Sequence, residues 1–196
     1  MNEYLAHSEI VDWRKPSVTW QARTFASGAS NDEIIAERCF TWVRDHIRHS
    51  RDYRIPVVTL SASDVLQHRA GYCYAKAHLL AALLRASGIP AAFCHQRLQL
   101  SETDPRFTLH GLNAVFLQRH GWYRIDARGN KPGVDAQFCP PAERLAFRAT
   151  VSGERDLPGL FAEPLPAIVN VLSRCGTEDD VYHALPDYDD EPSFNR

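Results

Sequence analysis

The sequence predicts an α+β fold in which one long apolar helix packs on an antiparallel β-sheet. Two observations carry this. Residues 71–90, Gly-Tyr-Cys-Tyr-Ala-Lys-Ala-His-Leu-Leu-Ala-Ala-Leu-Leu-Arg-Ala-Ser-Gly-Ile-Pro, are rich in strong helix formers and close on a glycine and proline stop signal. Three extended stretches follow at about residues 91–98, 111–117 and 121–127, and Gln118-Arg119-His120-Gly121 between the last two suits an antiparallel hairpin. A helix followed by paired strands in this order belongs to the α+β class rather than to an alternating βαβ one.

Taken in order, residues 1–29 are weakly patterned, and residues 4–13 read as a strand or a covering segment. Ser30-Asn31-Asp32-Glu33 has the form of a capping box. Ile34, Ile35, Cys39, Trp42, Val43 and Ile47 follow at helical spacing and predict a helix over about residues 31–48. Cys39 falls on its apolar stripe and reads as core. His46 and His49 stand three apart, but no third ligand or Cys-x-x-Cys partner lies nearby, so no metal site is expected. Residues 54–60 read as extended, and Ser61-Ala62-Ser63-Asp64 caps a short helix that delivers the chain to Gly71.

In the central helix, expected over residues 73–86, Ala77, Leu80 and Leu84 follow Cys73 at steps of four, three and four. Leu79 and Leu83 widen the stripe, so Cys73 begins a face turned toward a core. Past residue 131, prolines at 132, 140, 141, 158, 164 and 166 punctuate segments that wrap this core, with helices at about 165–172 and 178–185. Residues 186–196 form an acidic tail.

Composition narrows the function classes. A chain of 196 residues, 44% hydrophobic, can bury one sizeable core, and a single domain is expected over residues 1–196. Lys+Arg 22 against Asp+Glu 24 gives a net charge of −2 with the basic residues scattered, which argues against a nucleic-acid surface. No basic-then-apolar leader is visible and no apolar run approaches membrane-spanning length, so no membrane association is expected. Five cysteines without close paired spacing fit a reducing, cytoplasmic compartment.

The chemistry begins at Cys73. A helix N-terminus presents unpaired N–H groups and the positive end of a dipole, both of which favour a thiolate. The ordinary role of such a cysteine is a small buried hydrophobe; what argues for a nucleophile lies downstream. His110 opens the first hairpin strand and Asp126 closes the second, so both fall at one end of the ladder. Nucleophile, base and orienting carboxylate are the parts of a triad. Side chains alternate faces, which imposes a condition. A two-residue turn at Arg119-His120 pairs Asn113 with Asp126 and leaves His110 on the wrong face. A triad therefore requires an odd-length connection or a bulge near residues 118–121, which Gly121 permits.

Gly71-Tyr72-Cys73 opening a helix, Leu-Leu-Arg-Ala-Ser-Gly-Ile-Pro closing it, His110 on a strand and Trp122-Tyr-Arg-Ile-Asp126 on the next resemble the transglutaminase-like superfamily. The resemblance covers about residues 35–130 and is strongest over about 64–126. It implies a papain-like core, about residues 31–131, with Cys73 as nucleophile, His110 as base and Asp126 as orienting acid acting on amide or related acyl groups. Two positions depart from the superfamily pattern: Leu112 stands where an aromatic residue is common, and Ala127 where proline is common. The chain has no acidic calcium loop and no room for the additional β domains of the large calcium-regulated crosslinking enzymes, so neither calcium nor any other cofactor is expected.

Around the triad, the Cys73 backbone N–H is the natural oxyanion donor. Gln67, six residues before Cys73, has the separation of the papain-like glutamine donor, although a solvated glutamine is its ordinary role. Tyr72 and Tyr74 flank the nucleophile and Trp42 or Trp122 would wall a cleft, each also a packing residue by type. Arg128 and Asn130 follow Asp126 in a polar loop and are expected to support the site or touch substrate. His78 and His95 have no evident partner. The expectation is a cysteine-dependent acyl-transfer enzyme that hydrolyses a peptide, protein or small amide through a thioester, with amine transfer or amide formation as the alternative and a non-catalytic binding module as the competing class.

Overall fold

The structure, a computed structural model, describes residues 1–188, so the acidic tail beyond Tyr188 lies outside the described residues. A 3-10 helix, Asn2–Leu5, leads to α1 (Pro16–Ala26) and α2 (Asp32–His46). A two-residue strand β1 (Arg48–His49) runs into α3 (Ser50–Tyr53), and α4 (Ala62–His68) precedes β2 (Ala70–Gly71). Helix α5 (Cys73–Ala86) follows, then β3 (Ala91–Ser101), β4 (Asp104–Leu117) and β5 (Gly121–Ile125). The last elements are β6 (Arg155–Asp156), α6 (Pro166–Arg174) and α7 (Glu178–His183).

Helix α5 is the spine of the core. Every residue from Cys73 to Arg85 is buried, so it is enclosed on all sides rather than along one stripe. Its polar members are held accordingly. Lys76 Nζ donates to the Ile47 and Arg44 carbonyls at the end of α2, and burial, then the Arg128 charge, lower its pKa to about 7. Arg85 donates to the Ala91, Ala6 and Ala162 carbonyls at the far end. Gly88 takes φ +77° just after the helix, the left-handed stop its sequence signals.

The main sheet is antiparallel in the order β5-β4-β3-β6, and β1 pairs with β2 in parallel beside the start of α5. The inward face of β4, through Leu109, Val115 and Leu117, joins the α5 core, and Asn113 Nδ2 donates to the Ala77 carbonyl. Gly111 sits against the helix: a Cβ there would come 2.7 Å from the Tyr74 ring. That close approach fixes how near β4 lies to the N-terminus of α5.

Several elements depart from the sequence reading. Residues 1–29 hold α1, whose buried face is only Val18, Gln21 and Ala22, too small a stripe to register as a pattern. The cap of α2 is Asn31, which accepts from Ile34 N at 2.9 Å, one residue beyond the expected Ser30. Strand β4 starts at Asp104, so His110 lies inside the strand and does not open it. Pro105 and the polar neighbours of this arm masked its strand character.

Candidate active site

The connection between β4 and β5 is the feature on which the site depends. Leu117 pairs with Gly121 and Asn113 with Ile125, so three residues, 118–120, link the strands, and Gly121 takes φ +71°. The odd length sets the parity. Continuing the register puts Asp126 opposite Leu112, on the face shared with His110, and the two side chains meet along the diagonal. His110 Nε2 lies 2.7 Å from Asp126 Oδ2.

Asp126 is held from three sides. Its Oδ1 accepts the Arg128 N–H at 3.1 Å, and its Oδ2 accepts the Ala146 N–H at 3.2 Å besides the imidazole. Burial works to raise its pKa, but the His110 charge and these N–H groups overcome it, so the carboxyl stays below the usual range. Burial likewise works to lower His110, and the charges of Asp126 and Cys73 raise it to about 10. The pair is an imidazolium and a carboxylate at neutral pH. Because Asp126 takes Nε2, Nδ1 is the nitrogen left to hold and move a proton.

Cys73 begins α5, whose N-terminus has no side-chain cap. It borders, with His110, a cleft of about 650 Å³. Cys73 is 8% exposed, His110 5% and Asp126 1%, so the thiol and imidazole edge meet the cleft while the carboxylate lies behind them. Phe147 packs edge-on against His110 at 5.0 Å between ring centroids, and leucines 98, 100, 109, 145 and 185 add apolar wall.

The other expected site residues are dispersed. Tyr72 and Tyr74 border the cleft, each with its hydroxyl tied away, Tyr72 to the Glu178 carbonyl at 2.7 Å and Tyr74 to the Leu109 carbonyl at 2.5 Å. Arg128 borders the cleft and grips Asp52 through two bonds at 2.5 and 3.0 Å, and its N–H braces Asp126. Asn130 is outside the cleft lining; it clamps its own loop by exchanging bonds with Ala136. Gln67 is exposed on α4 and lines a separate groove with Lys15 and Trp20, so it does not reach the thiol. Trp122 packs between Tyr4 and Phe116 near the turn of the hairpin, at the opposite end of β5 from Asp126 and away from the cleft. Trp42 stacks on Phe25 in the helical layer.

Sequence reasoning missed His49, Asp52 and Phe147, all of which line the cleft. Asp52 meets Arg128 across 76 residues, and no local pattern announces that pairing. His78, enclosed and bonded to the Leu60 carbonyl at 2.8 Å, is lowered by burial to about 4, and His95 by burial to about 3. Neither borders the cleft. Among the described residues no cluster of three metal-ligating side chains occurs.

Comparison with known proteins places these features in a family. The profile of the transglutaminase-like superfamily matches residues 19–127, more than half of the chain. The chain belongs to the transglutaminase-like superfamily. Its fold is similar to that of a candidate cysteine protease from Cytophaga hutchinsonii, with a TM-score of 0.52 and 21% identity over 64% of this chain and 40% of that one. It is also similar to the periplasmic domain of TgpA from Pseudomonas aeruginosa, with a TM-score of 0.50 and 18% identity over 63% of this chain and 46% of that one. The match therefore spans less than half of each of these longer chains. No curated protein sequence matches significantly. Family and fold together support a cysteine-dependent hydrolase or acyltransferase in general. Among the described residues no helix is long and apolar enough to cross a membrane.

Proposed function

We propose that this superfamily member is a cysteine-dependent acyl-transfer enzyme whose Cys73, His110 and Asp126 form a catalytic triad that hydrolyses a peptide or amide bond. The observation that carries the reading is the 2.7 Å bond between His110 Nε2 and Asp126 Oδ2, which leaves Nδ1 to serve a thiol, with His110 and Cys73 lining one cleft. In the first half-reaction the Cys73 thiolate attacks the carbonyl carbon, and the π pair moves to oxygen. That pair returns as the C–N bond breaks, and His110 gives its proton to the departing amine. A thioester remains. Water then attacks the same carbon while His110 takes its proton, the S–C bond breaks, and the acid, the thiolate and the protonated His110 are restored.

Water is the default acceptor because a cleft of this size admits it. Amine transfer is the alternative acceptor chemistry on the same thioester. The substrate is a peptide, protein or small amide whose acyl side suits the apolar wall of Leu98, Leu109 and Phe147. All five cysteines are unpaired, which supports a reducing, cytoplasmic compartment.

The test is a p-nitrophenyl ester offered to the parent and to Cys73→Ala, with intact and peptide mass spectrometry after acid quench. One acyl group on the Cys73 peptide, absent in the variant, supports the reading, and adding a primary amine then reports which acceptor wins. Parent protein that carries no acyl group on Cys73 refutes it.

A further inference from the structure

A thioester-forming site needs donors for the oxygen that becomes negative when the Sγ–C bond forms. The Cys73 N–H at the uncapped start of α5 is one. Gln67, the residue whose spacing suggested a second, faces another groove. A different side chain occupies the vacant role.

We propose that His49 is the second oxyanion donor, its Nε2–H completing with the Cys73 N–H the pocket that receives the acyl oxygen. The inference rests on the reading of Cys73 as nucleophile.

Three observations support it. First, β1 pairs in parallel with β2 so that His49 stands opposite Gly71, two residues before Cys73, and its ring packs edge-on against Tyr72 at 5.4 Å. The strand pair fixes the imidazole beside the start of α5, where the carbonyl must lie. Second, His49 borders the same cleft as Cys73 and His110 while only 7% exposed, so a hydrogen bond made there works in a sheltered, low-dielectric site. Third, the ring has no committed hydrogen bond. Its Nδ1 is enclosed without a partner; the nearest carboxylate oxygen, Asp52 Oδ2, is 3.8 Å away and already accepts from Arg128 at 2.5 Å. Nε2 is the nitrogen that is not enclosed. A proton on Nδ1 would have no acceptor, whereas Nε2 has open space beside it on a residue that borders the cleft.

The charge state agrees with this role. Burial and then the neighbouring Arg128 guanidinium hold the His49 pKa well below its ordinary value, against the opposing pull of Asp52. The imidazole is neutral at neutral pH and so offers one N–H without competing with His110 for the proton that moves. In the step itself the carbonyl π pair localises on oxygen as Sγ bonds to carbon, and Nε2–H donates to that oxygen. The bond weakens again when the pair re-forms the C=O and the amine leaves.

The experiment separates donation from mere support by using two reactions at one thiol. Acylation by a p-nitrophenyl ester passes through an oxyanion; alkylation by iodoacetamide does not. Both rates are measured at Cys73 in the parent, His49→Ala and His49→Gln, the last restoring an amide N–H near the Nε2 position. The expected result is that His49→Ala loses about 100-fold in acylation rate. Its alkylation rate is expected to stay at the parent value, and His49→Gln to recover part of the loss. Equal acylation in His49→Ala and a parent that does acylate overturns the His49 assignment alone. Acylation and alkylation falling together in both variants also overturns it, because that pattern marks a structural role. A parent that alkylates at Cys73 but never acylates removes the nucleophile reading, and the His49 assignment with it.

Discussion

His110 and Asp126 meet across two strands because the connection between those strands has three residues and not two. The pairing of Leu117 with Gly121 sets a parity in which both side chains share a face, and their 2.7 Å bond follows from it. A backbone count thus decides whether the two side chains can meet.

Replacing Asp126 by Asn removes the charge that raises His110. Burial, which acts to lower it, is then opposed by Cys73 alone. The His110 pKa should fall from about 10 toward or below 6.5, read by long-range ¹H–¹⁵N NMR of the imidazole. Ester hydrolysis should drop by about 10²- to 10⁴-fold in the same variant. An unchanged His110 titration would contradict the assigned charge balance.

The pH dependence of stability has a worked sign on each limb. His49, His78 and His95 are held below their ordinary pKa, so the stability they contribute is complete above about 6.5 and is lost as pH falls through their folded values. Asp126 acts in the same direction below 3.8. His110 is raised, so its contribution is complete below 6.5 and is lost as pH rises toward about 10. Lys76, lowered to about 7, adds stability over that same alkaline range and opposes the loss. Urea midpoints should rise from about pH 4 to 6.5 and then flatten, and Lys76→Met should convert the flat region into a decline. A midpoint that falls steadily from pH 5 upward in the parent would refute these assignments.

Gly111→Ala probes the contact between strand and helix. The added Cβ would lie 2.7 Å from Tyr74 Cδ1 and 3.4 Å from Tyr74 Cα, and the Tyr74 hydroxyl is anchored on the Leu109 carbonyl, so the ring has no free direction. The variant should lose about 1–3 kcal/mol in chemical denaturation. It should also lose acylation at Cys73 through displacement of His110. A variant with parental stability would mean that the ring yields without cost.

Arg128 and Lys131 share the Asp52 carboxylate but differ in exposure. Arg128 is enclosed and doubly bonded to it, whereas Lys131 reaches it from the rim. Arg128→Ala should cost about 1–3 kcal/mol by stranding a shielded carboxylate. Lys131→Ala should cost less than about 1 kcal/mol. Thermal unfolding of the two variants reads the difference; equal costs would refute the buried role of Arg128.

The bounds of the central helix were legible, its enclosure on every side less so: its helix formers, its Gly88 and Pro90 stop and its thiol at the mouth reproduce α5 as Cys73–Ala86. The hairpin condition was also legible, because strand alternation is a local rule and Gly121 marks where it can be met. What escaped depends on distant chain. Asn31 prevails over Ser30 as cap although both types cap helices. Gln67 had the spacing of a donor but sits at the end of α4, where the chain turns through Arg69 at φ +54° into β2. His49 drew notice only for its spacing from His46; its place beside Gly71 arises from a two-residue parallel pairing that no periodicity reveals.

The most direct test of the central claim is the iodoacetamide labelling rate of each cysteine at neutral pH, followed by peptide mass spectrometry in the parent and in His110→Ala. Cys139 is exposed and Cys73 is 8% exposed, so access alone favours Cys139. The account predicts that Cys73 nevertheless labels faster than Cys139 in the parent and loses that advantage in His110→Ala. Cys73 labelling more slowly than Cys139, at a rate indifferent to the loss of His110, would contradict it.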